Sequence, residues 1–138
     1  MRQLGVARTL IGLLVGLLVV AVACGRPSES RQVADRFTDL YYAHARLADA
    51  LELTTGAAQT RLQGELAAIK GVPPDPAADR PRVTLHLVSE TTASPTQATY
   101  VYNVDPQTTG IGPLVATVGV ANQDGKWRVV TLDEKERK

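Results

Sequence analysis

Between Val33 and Leu51, apolar residues recur at spacings of three and four, which is the pattern of an amphipathic helix. The stripe consists of Val33, Phe37, Leu40, Tyr41, His44, Leu47, Ala48 and Leu51. The opposite, polar face carries Arg31, Asp35, Asp39, Arg46 and Asp49. We predict that Ser28 or Ser30 caps the start of this helix, and that Gly56 takes the left-handed conformation that ends it.

A second helix is predicted by the apolar residues Ala58, Leu62, Leu66 and Ile69, and it closes at Gly71. The segment that follows, residues 71 to 81, contains four prolines. Because proline cannot donate a backbone hydrogen bond to a helix or a sheet, this segment is predicted to be a connector between a helical half and a strand half.

After the connector, the apolar period changes to two, which is the period of a β-strand. Four such runs are present, over residues 83–87, 98–104, 114–120 and 127–131. Asp124 and Gly125 suit a tight turn, so the last two strands should form a hairpin. The other connections carry Pro, Ser, Thr and Gly, which favours an antiparallel meander. We therefore predict an α+β domain whose N-terminal helices cover one face of a four-stranded antiparallel sheet.

The first 25 residues have the order of features of a secretory signal. Arg2 and Arg8 precede an uncharged run of 17 residues from Thr9 to Gly25, and small residues precede the single cysteine, Cys24. A run of this length is at the lower limit for a membrane span, so an uncleaved transmembrane anchor is the main alternative. A third alternative is a secreted protein in which the Cys24 thiol is unmodified. In both anchored forms the rest of the chain lies outside the cytoplasmic membrane, because the arginines stay inside.

The sequence Ala21-Val22-Ala23-Cys24 resembles the signal of bacterial lipoproteins, with alanine at a first position where leucine is more usual. The resemblance implies attachment of a diacylglycerol to the Cys24 sulfur and cleavage between Ala23 and Cys24. It divides the chain into a signal peptide (1–23), a lipid-anchored tether (24–30), one α+β domain (31–133) and a charged tail (134–138). The protein would be exported and anchored to a bacterial membrane, on the outer face of the cytoplasmic membrane or in the outer membrane.

The exported part also resembles a fold superfamily. The Tyr41-Tyr42 pair in the first helix, the Ala-Leu helical stretch that follows and the final strand Gly125-Lys126-Trp127-Arg128-Val129-Val130 are similar to the nuclear-transport-factor-two-like superfamily. This resemblance implies a curved sheet wrapped around the helices into a cone with a pocket. Tyr41, His44, Tyr100 and Tyr102 are the residues expected to converge in such a pocket. No acidic residue falls on an inward position of the sequence pattern, which weakens the case for catalysis.

The distribution of charge and the number of possible metal ligands restrict the classes of partner and ligand. Arg2 and Arg8 lie in the leader, so 13 of the 15 basic side chains remain beside 14 acidic ones, which argues against a nucleic-acid partner. The charges alternate in sign along the chain, unlike a polybasic lipid-binding segment. His44 and His86 fall short of a metal set, which needs three or four ligands at fixed spacing. We predict no metal and no cofactor, and expect His86 to face away from the core.

The leading hypothesis is a lipid-anchored, non-catalytic envelope protein that binds an envelope protein or an apolar small molecule, as well as membrane lipid through Cys24. One alternative is a pocket enzyme, an isomerase or hydrolyase, that uses His44 with Tyr41 or Tyr100. Another is a transmembrane-anchored accessory subunit of an envelope complex. We identify no catalytic residue, and the sequence leaves the question of an enzyme open.

Overall fold

The computed structural model describes residues 25–73 and 82–138. The helical half consists of α1 (Glu29–Thr38), a π-helical turn (Asp39–Ala43), α2 (Leu47–Leu51) and α3 (Gly56–Ile69). The strands are β1 (Val83–Ser94), β2 (Gln97–Pro106), β3 (Leu114–Gln123) and β4 (Lys126–Glu136), antiparallel in the order β1-β2-β3-β4. The predicted α+β meander is confirmed. The signal or anchor helix, Cys24 and most of the proline-rich connector lie outside the described residues.

The helix predicted from the apolar stripe is not continuous, because it is broken at Ala45, whose φ is 51°. Just before the break, the His44 N–H donates to the Asp39 carbonyl at 3.0 Å, which is the five-residue spacing of a π-helical turn. The left-handed Ala45 ends this turn, and the Arg46 N–H beyond it donates back to the Leu40 carbonyl at 2.8 Å. His44 therefore leaves the apolar face, and its side chain is 51% exposed.

The domain begins and ends a few residues away from the predicted limits. The Ser28 side chain accepts from the Arg31 N–H at 3.3 Å and so caps α1, which already begins at Glu29. The tether predicted over residues 24–30 is shorter for this reason. At the other end, Glu136 pairs with Leu114 across β4 and β3, so most of the predicted charged tail is strand.

Local signals for the second helix and the last turn are confirmed. Gly71, just beyond α3, has a φ of 86°. Gly56 also has a positive φ, of 60°, although it stands at the start of α3 and does not end the first helix. Asp124 and Gly125 have φ values of 54° and 83°, the conformation that a two-residue hairpin turn requires.

All helices pack on one face of the sheet, which we call the covered face. Its buried residues are Ala98, Tyr100, Tyr102 and Val104 of β2, Ala116, Val118 and Val120 of β3, and Val129 and Leu132 of β4. Phe37 of α1 and Leu62 of α3 are fully buried against them. Register shifts at Val88 and Val130 place β-bulges in the two edge strands, and bulges bend a sheet around its core.

The opposite, open face carries the alternate residues of the central strands. It is defined by Thr99, Val101 and Asn103 of β2 and by Val115, Thr117, Gly119 and Ala121 of β3. These residues are partly exposed, and none belongs to the hydrophobic core of the described part of the chain.

Candidate functional site

A cavity of about 330 Å³ lies between α1 and the first two strands. We call it the inner cavity. It is lined by Arg31, Asp35, Thr38 and Asp39 from the helical side and by Leu85, Leu87 and Tyr102 from the sheet. It is the place in the fold where the pocket implied by the superfamily resemblance would lie.

The polar residues of the inner cavity are bound to one another. The Tyr102 hydroxyl donates to Asp35 Oδ1 at 2.6 Å, and Arg31 Nε donates to both Asp35 carboxylate oxygens at 2.8 Å. Glu90 lies 3.8 Å from the Arg31 guanidinium. Burial, together with the bond to Asp35, raises the pKa of the Tyr102 phenol, so this group stays protonated and acts as a donor.

This arrangement is a hydrogen-bonded network in which Arg31 lies beside two carboxylates, those of Asp35 and Glu90. A general base needs a carboxylate oxygen or a ring nitrogen that can reach a substrate proton. Both Asp35 oxygens accept a hydrogen bond from Arg31, and Oδ1 also accepts the proton of the Tyr102 hydroxyl. The network therefore fastens α1 to β2 and engages both oxygens of the Asp35 carboxylate.

Tyr100 lies in the core and not in the cavity. It is fully buried, and its hydroxyl is 2.7 Å from Ser30 Oγ and 3.4 Å from Ser28 Oγ. Because Ser28 caps α1 and Ser30 lies in its first turn, Tyr100 ties the start of that helix to the sheet.

Tyr41 points towards α3. Its hydroxyl donates to the two Glu65 carboxylate oxygens at 3.0 and 2.9 Å, and Arg61 Nε donates to the same carboxylate at 2.9 Å. The Tyr41 ring stacks on Phe37 with ring centres 5.6 Å apart. Burial and the bond to Glu65 raise the pKa of the Tyr41 phenol.

His44 lies outside the cavity beside its rim. Its Nε2 is 3.3 Å from Asp39 Oδ2, and both side chains are more than half exposed. His86 is exposed on β1, as expected. Of the four residues predicted to converge, Tyr102 lines the inner cavity, while Tyr41, His44 and Tyr100 are held by different partners.

The sequence interpretation missed Asp35 and Asp39. Both were assigned to the polar face, and no acidic residue was expected at an inward position. In the structure both line the inner cavity, and Asp35 binds Tyr102. The usable signal was that Asp35 directly follows the buried Ala34, at the margin of the apolar stripe.

A second cavity, of about 420 Å³, lies between α1 and the tip of the β3–β4 hairpin. We call it the hairpin cavity. It is lined by Glu29, Gln32, Val33 and Arg36 of α1 and by Gly125, Lys126, Trp127 and Arg128. Trp127 packs against the core while it also lines this cavity.

Residues 25–73 and 82–138 contain neither of two further features. No group of three or more His, Cys, Asp or Glu side chains in these ranges is arranged to hold a metal ion. No helix in the same ranges is long and apolar enough to cross a membrane.

The chain matches no known protein-family model. It also matches no curated protein sequence. Among solved structures, it is similar to a protein of Thiobacillus denitrificans described as a calcium/calmodulin-dependent protein kinase type II association domain, with a TM-score of 0.55 and 13% identity. The match covers 78% of this chain and 94% of that one. The likeness shows the fold alone, and it supports the nuclear-transport-factor-two-like architecture expected from the sequence.

Proposed function

We propose that this protein is a non-catalytic association module, anchored to a bacterial membrane through a lipid on Cys24, that binds a second copy of itself through the open face of its sheet. The observation that carries the proposal is the open face. Its central positions, Val101, Thr117, Gly119 and Ala121, are small or β-branched and uncharged. A twisted sheet whose face has such side chains can pack against another sheet at about 10 Å.

Two further observations support association. A solved structure with a similar fold is described as an association domain. The charged and ionisable residues of the open face lie towards its margins, among them His86 on β1 and Asp105 at the end of β2. An uncharged centre surrounded by polar residues is the usual composition of a protein interface.

The inner cavity favours an isomerase or hydrolyase as the second candidate, because it combines a carboxylate with a buried tyrosine. The bonds within it argue against this role, since Asp35 and Tyr102 satisfy each other and His44 lies outside. Replacing His44 by Gln tests the enzyme directly. A folded variant that loses a turnover shown by the native protein would replace the association module with a pocket enzyme.

The association is tested with the full chain extracted from bacterial membranes in detergent. Light scattering after size-exclusion chromatography should give the mass of a dimer, corrected for detergent. Thr117→Lys places a charge in the centre of the open face and should yield monomer. Thr60→Lys is the matched control, because Thr60 is exposed on α3, away from the sheet face. A monomeric native chain, or equal behaviour of both variants, would refute the proposal.

The anchor is tested separately by the intact mass of the same material. A chain that begins at a diacylglycerol-modified Cys24 supports the lipoprotein. A chain that keeps residues 1–23 with an unmodified cysteine supports the transmembrane accessory subunit, whose partners cross-linking in native membranes would then identify.

A further inference from the structure

Basic side chains from two distant parts of the sequence meet at the hairpin cavity. Arg36 comes from α1, and Lys126 and Arg128 come from the start of β4, whereas Glu29 is the one carboxylate among the lining residues. The sequence shows charges that alternate in sign, so this concentration of positive charge is produced by the fold. Trp127 lies between the two β4 cations and is partly buried.

These cations are not neutralised by the domain itself. Within residues 25–73 and 82–138, Arg36, Lys126 and Arg128 form no salt bridge. Arg128 donates to the backbone carbonyl of Glu52, which leaves its charge unpaired. Lys126 and Arg128 also line a neighbouring depression, together with Glu52 and Asp124, but neither cation forms a salt bridge with these two residues.

The position of the cavity along the chain fixes its distance from the proposed anchor. Glu29, which lines the cavity, follows Cys24 by five positions. A fully extended chain of that length spans at most about 18 Å. A lipid on Cys24 therefore holds the cavity close to the headgroup layer, whatever the conformation of the tether.

We propose that the hairpin cavity is a membrane-docking surface for anionic phospholipids, in which Arg36, Lys126 and Arg128 bind headgroup phosphates and Trp127 lies at the bilayer interface. Cationic side chains near an anionic leaflet bind it electrostatically, and tryptophan prefers the boundary between headgroups and acyl chains. This inference rests on the proposed anchor at Cys24. It adds that the domain is held in one orientation and does not rotate freely on its tether.

The single tryptophan of the chain makes the test direct, because its fluorescence reports from the cavity alone. The full chain, purified from bacterial membranes, is reconstituted into vesicles of phosphatidylcholine or of phosphatidylcholine and phosphatidylglycerol in equal parts. Each set contains a trace of a lipid with a nitroxide on its headgroup, which quenches nearby tryptophan. We expect stronger quenching of Trp127 in the anionic vesicles, and expect high salt to abolish the difference.

Variants separate docking from general charge effects. Arg36→Gln and Lys126→Gln should each lower the ratio of docked to undocked domain about fivefold in anionic vesicles. Lys135→Gln removes the same charge from the same strand, about 30 Å from Lys126, and should leave quenching unchanged. Circular dichroism confirms that each variant keeps its fold.

Flotation of the same samples keeps this proposal distinct from the anchor. Vesicle-bound chain whose Trp127 is quenched equally in both vesicle types would overturn docking and leave the anchor intact. Equal loss of quenching in Lys126→Gln and Lys135→Gln would also overturn it. Chain that does not float with vesicles refutes the anchor and, with it, the docking that depends on the anchor.

Discussion

The covered and open faces of the sheet are built from alternate residues of the same strands, yet they carry different kinds of side chain. On the covered face of β2, Tyr100 and Tyr102 send their hydroxyl groups to Ser30 and Asp35 of α1. On the open face, Thr99 and Val101 are small and partly exposed. Large side chains with a polar end fix one position of the helix, whereas small uncharged ones leave a surface that a flat partner can approach.

The comparison also separates stability from association. A buried tyrosine gains from ring burial, and a hydroxyl that finds a partner avoids the cost of a lost hydrogen bond. No buried side-chain nitrogen or oxygen lacks a partner within the described residues. The covered face is thus internally complete, and it is the open face that has surface left for a partner.

The largest effect is expected for Phe37→Ala, which empties a fully buried site on the covered face. The variant should lose about 3–5 kcal/mol of unfolding free energy, since it gives up ring burial and leaves a cavity. Thr117→Ala on the open face should stay within about 0.5 kcal/mol of the native chain. Urea unfolding, followed by Trp127 fluorescence, measures both. Similar losses for the two variants would show that the open face is packed in the isolated chain.

A smaller loss is expected for Tyr102→Phe, which keeps the ring and removes the hydrogen bond to the Asp35 carboxylate. A bond to a charged group contributes about 1.5–3 kcal/mol. Tyr100→Phe is the matched control, because its hydroxyl meets the neutral Ser30 and its loss should cost about 1 kcal/mol. If the two variants unfold at the same urea concentration, the hydrogen bond to Asp35 does not hold α1 more strongly than the hydrogen bond to Ser30.

Tyr102→Phe should also change how the free energy of unfolding depends on pH in the alkaline range. Burial raises the pKa of the Tyr102 phenol above the value of about 10 that it has in the unfolded chain. The contribution of the protonated Tyr102 phenol to the free energy of unfolding is therefore fully present below about pH 10. It falls above that pH, because the phenol loses its proton in the unfolded chain first. The free energy of unfolding of Tyr102→Phe should fall less steeply above that pH. Tyr41 and Tyr42, whose pKa values are also raised, keep part of the slope in the variant.

The sheet could be predicted from the sequence because its signals are local. A period of two marked all four strands, and Asp124-Gly125 marked the turn between β3 and β4. The end of the first helix could not be predicted in the same way. Alanine is the best helix former, so Ala45 in a left-handed conformation has no local signal, and tertiary packing decides it.

The candidate site was less predictable because its residues meet only in three dimensions. Asp35 and Tyr102 are 67 positions apart, and their hydrogen bond depends on how α1 crosses the sheet. Arg36 and Lys126 likewise reach one cavity from α1 and from β4. Of the residues predicted to line a pocket, Tyr102 lines the inner cavity. The sequence pattern placed His44 on the apolar face of the first helix, but that helix ends before His44, whose side chain is half exposed.

A modest loss of stability is expected for Gly119→Ala on the open face. A Cβ at this position would lie 2.2 Å from Thr131 Oγ1, so the threonine side chain must leave its rotamer, at a cost of about 1 kcal/mol. Removing the Thr131 side chain should reverse the sign of the stability change that Gly119→Ala causes. In a Thr131→Ala background, Gly119→Ala should be neutral or stabilising, since alanine restricts the unfolded strand more than glycine does.

This cycle distinguishes two reasons for a glycine at the centre of the face. If the double variant regains stability but is a monomer, Gly119 and Thr131 shape the surface proposed to contact the second copy. If it regains both stability and dimer mass, the glycine serves the fit between β3 and β4 alone. Failure to regain stability would mean that the clash with Thr131 is not what excludes a side chain from this position.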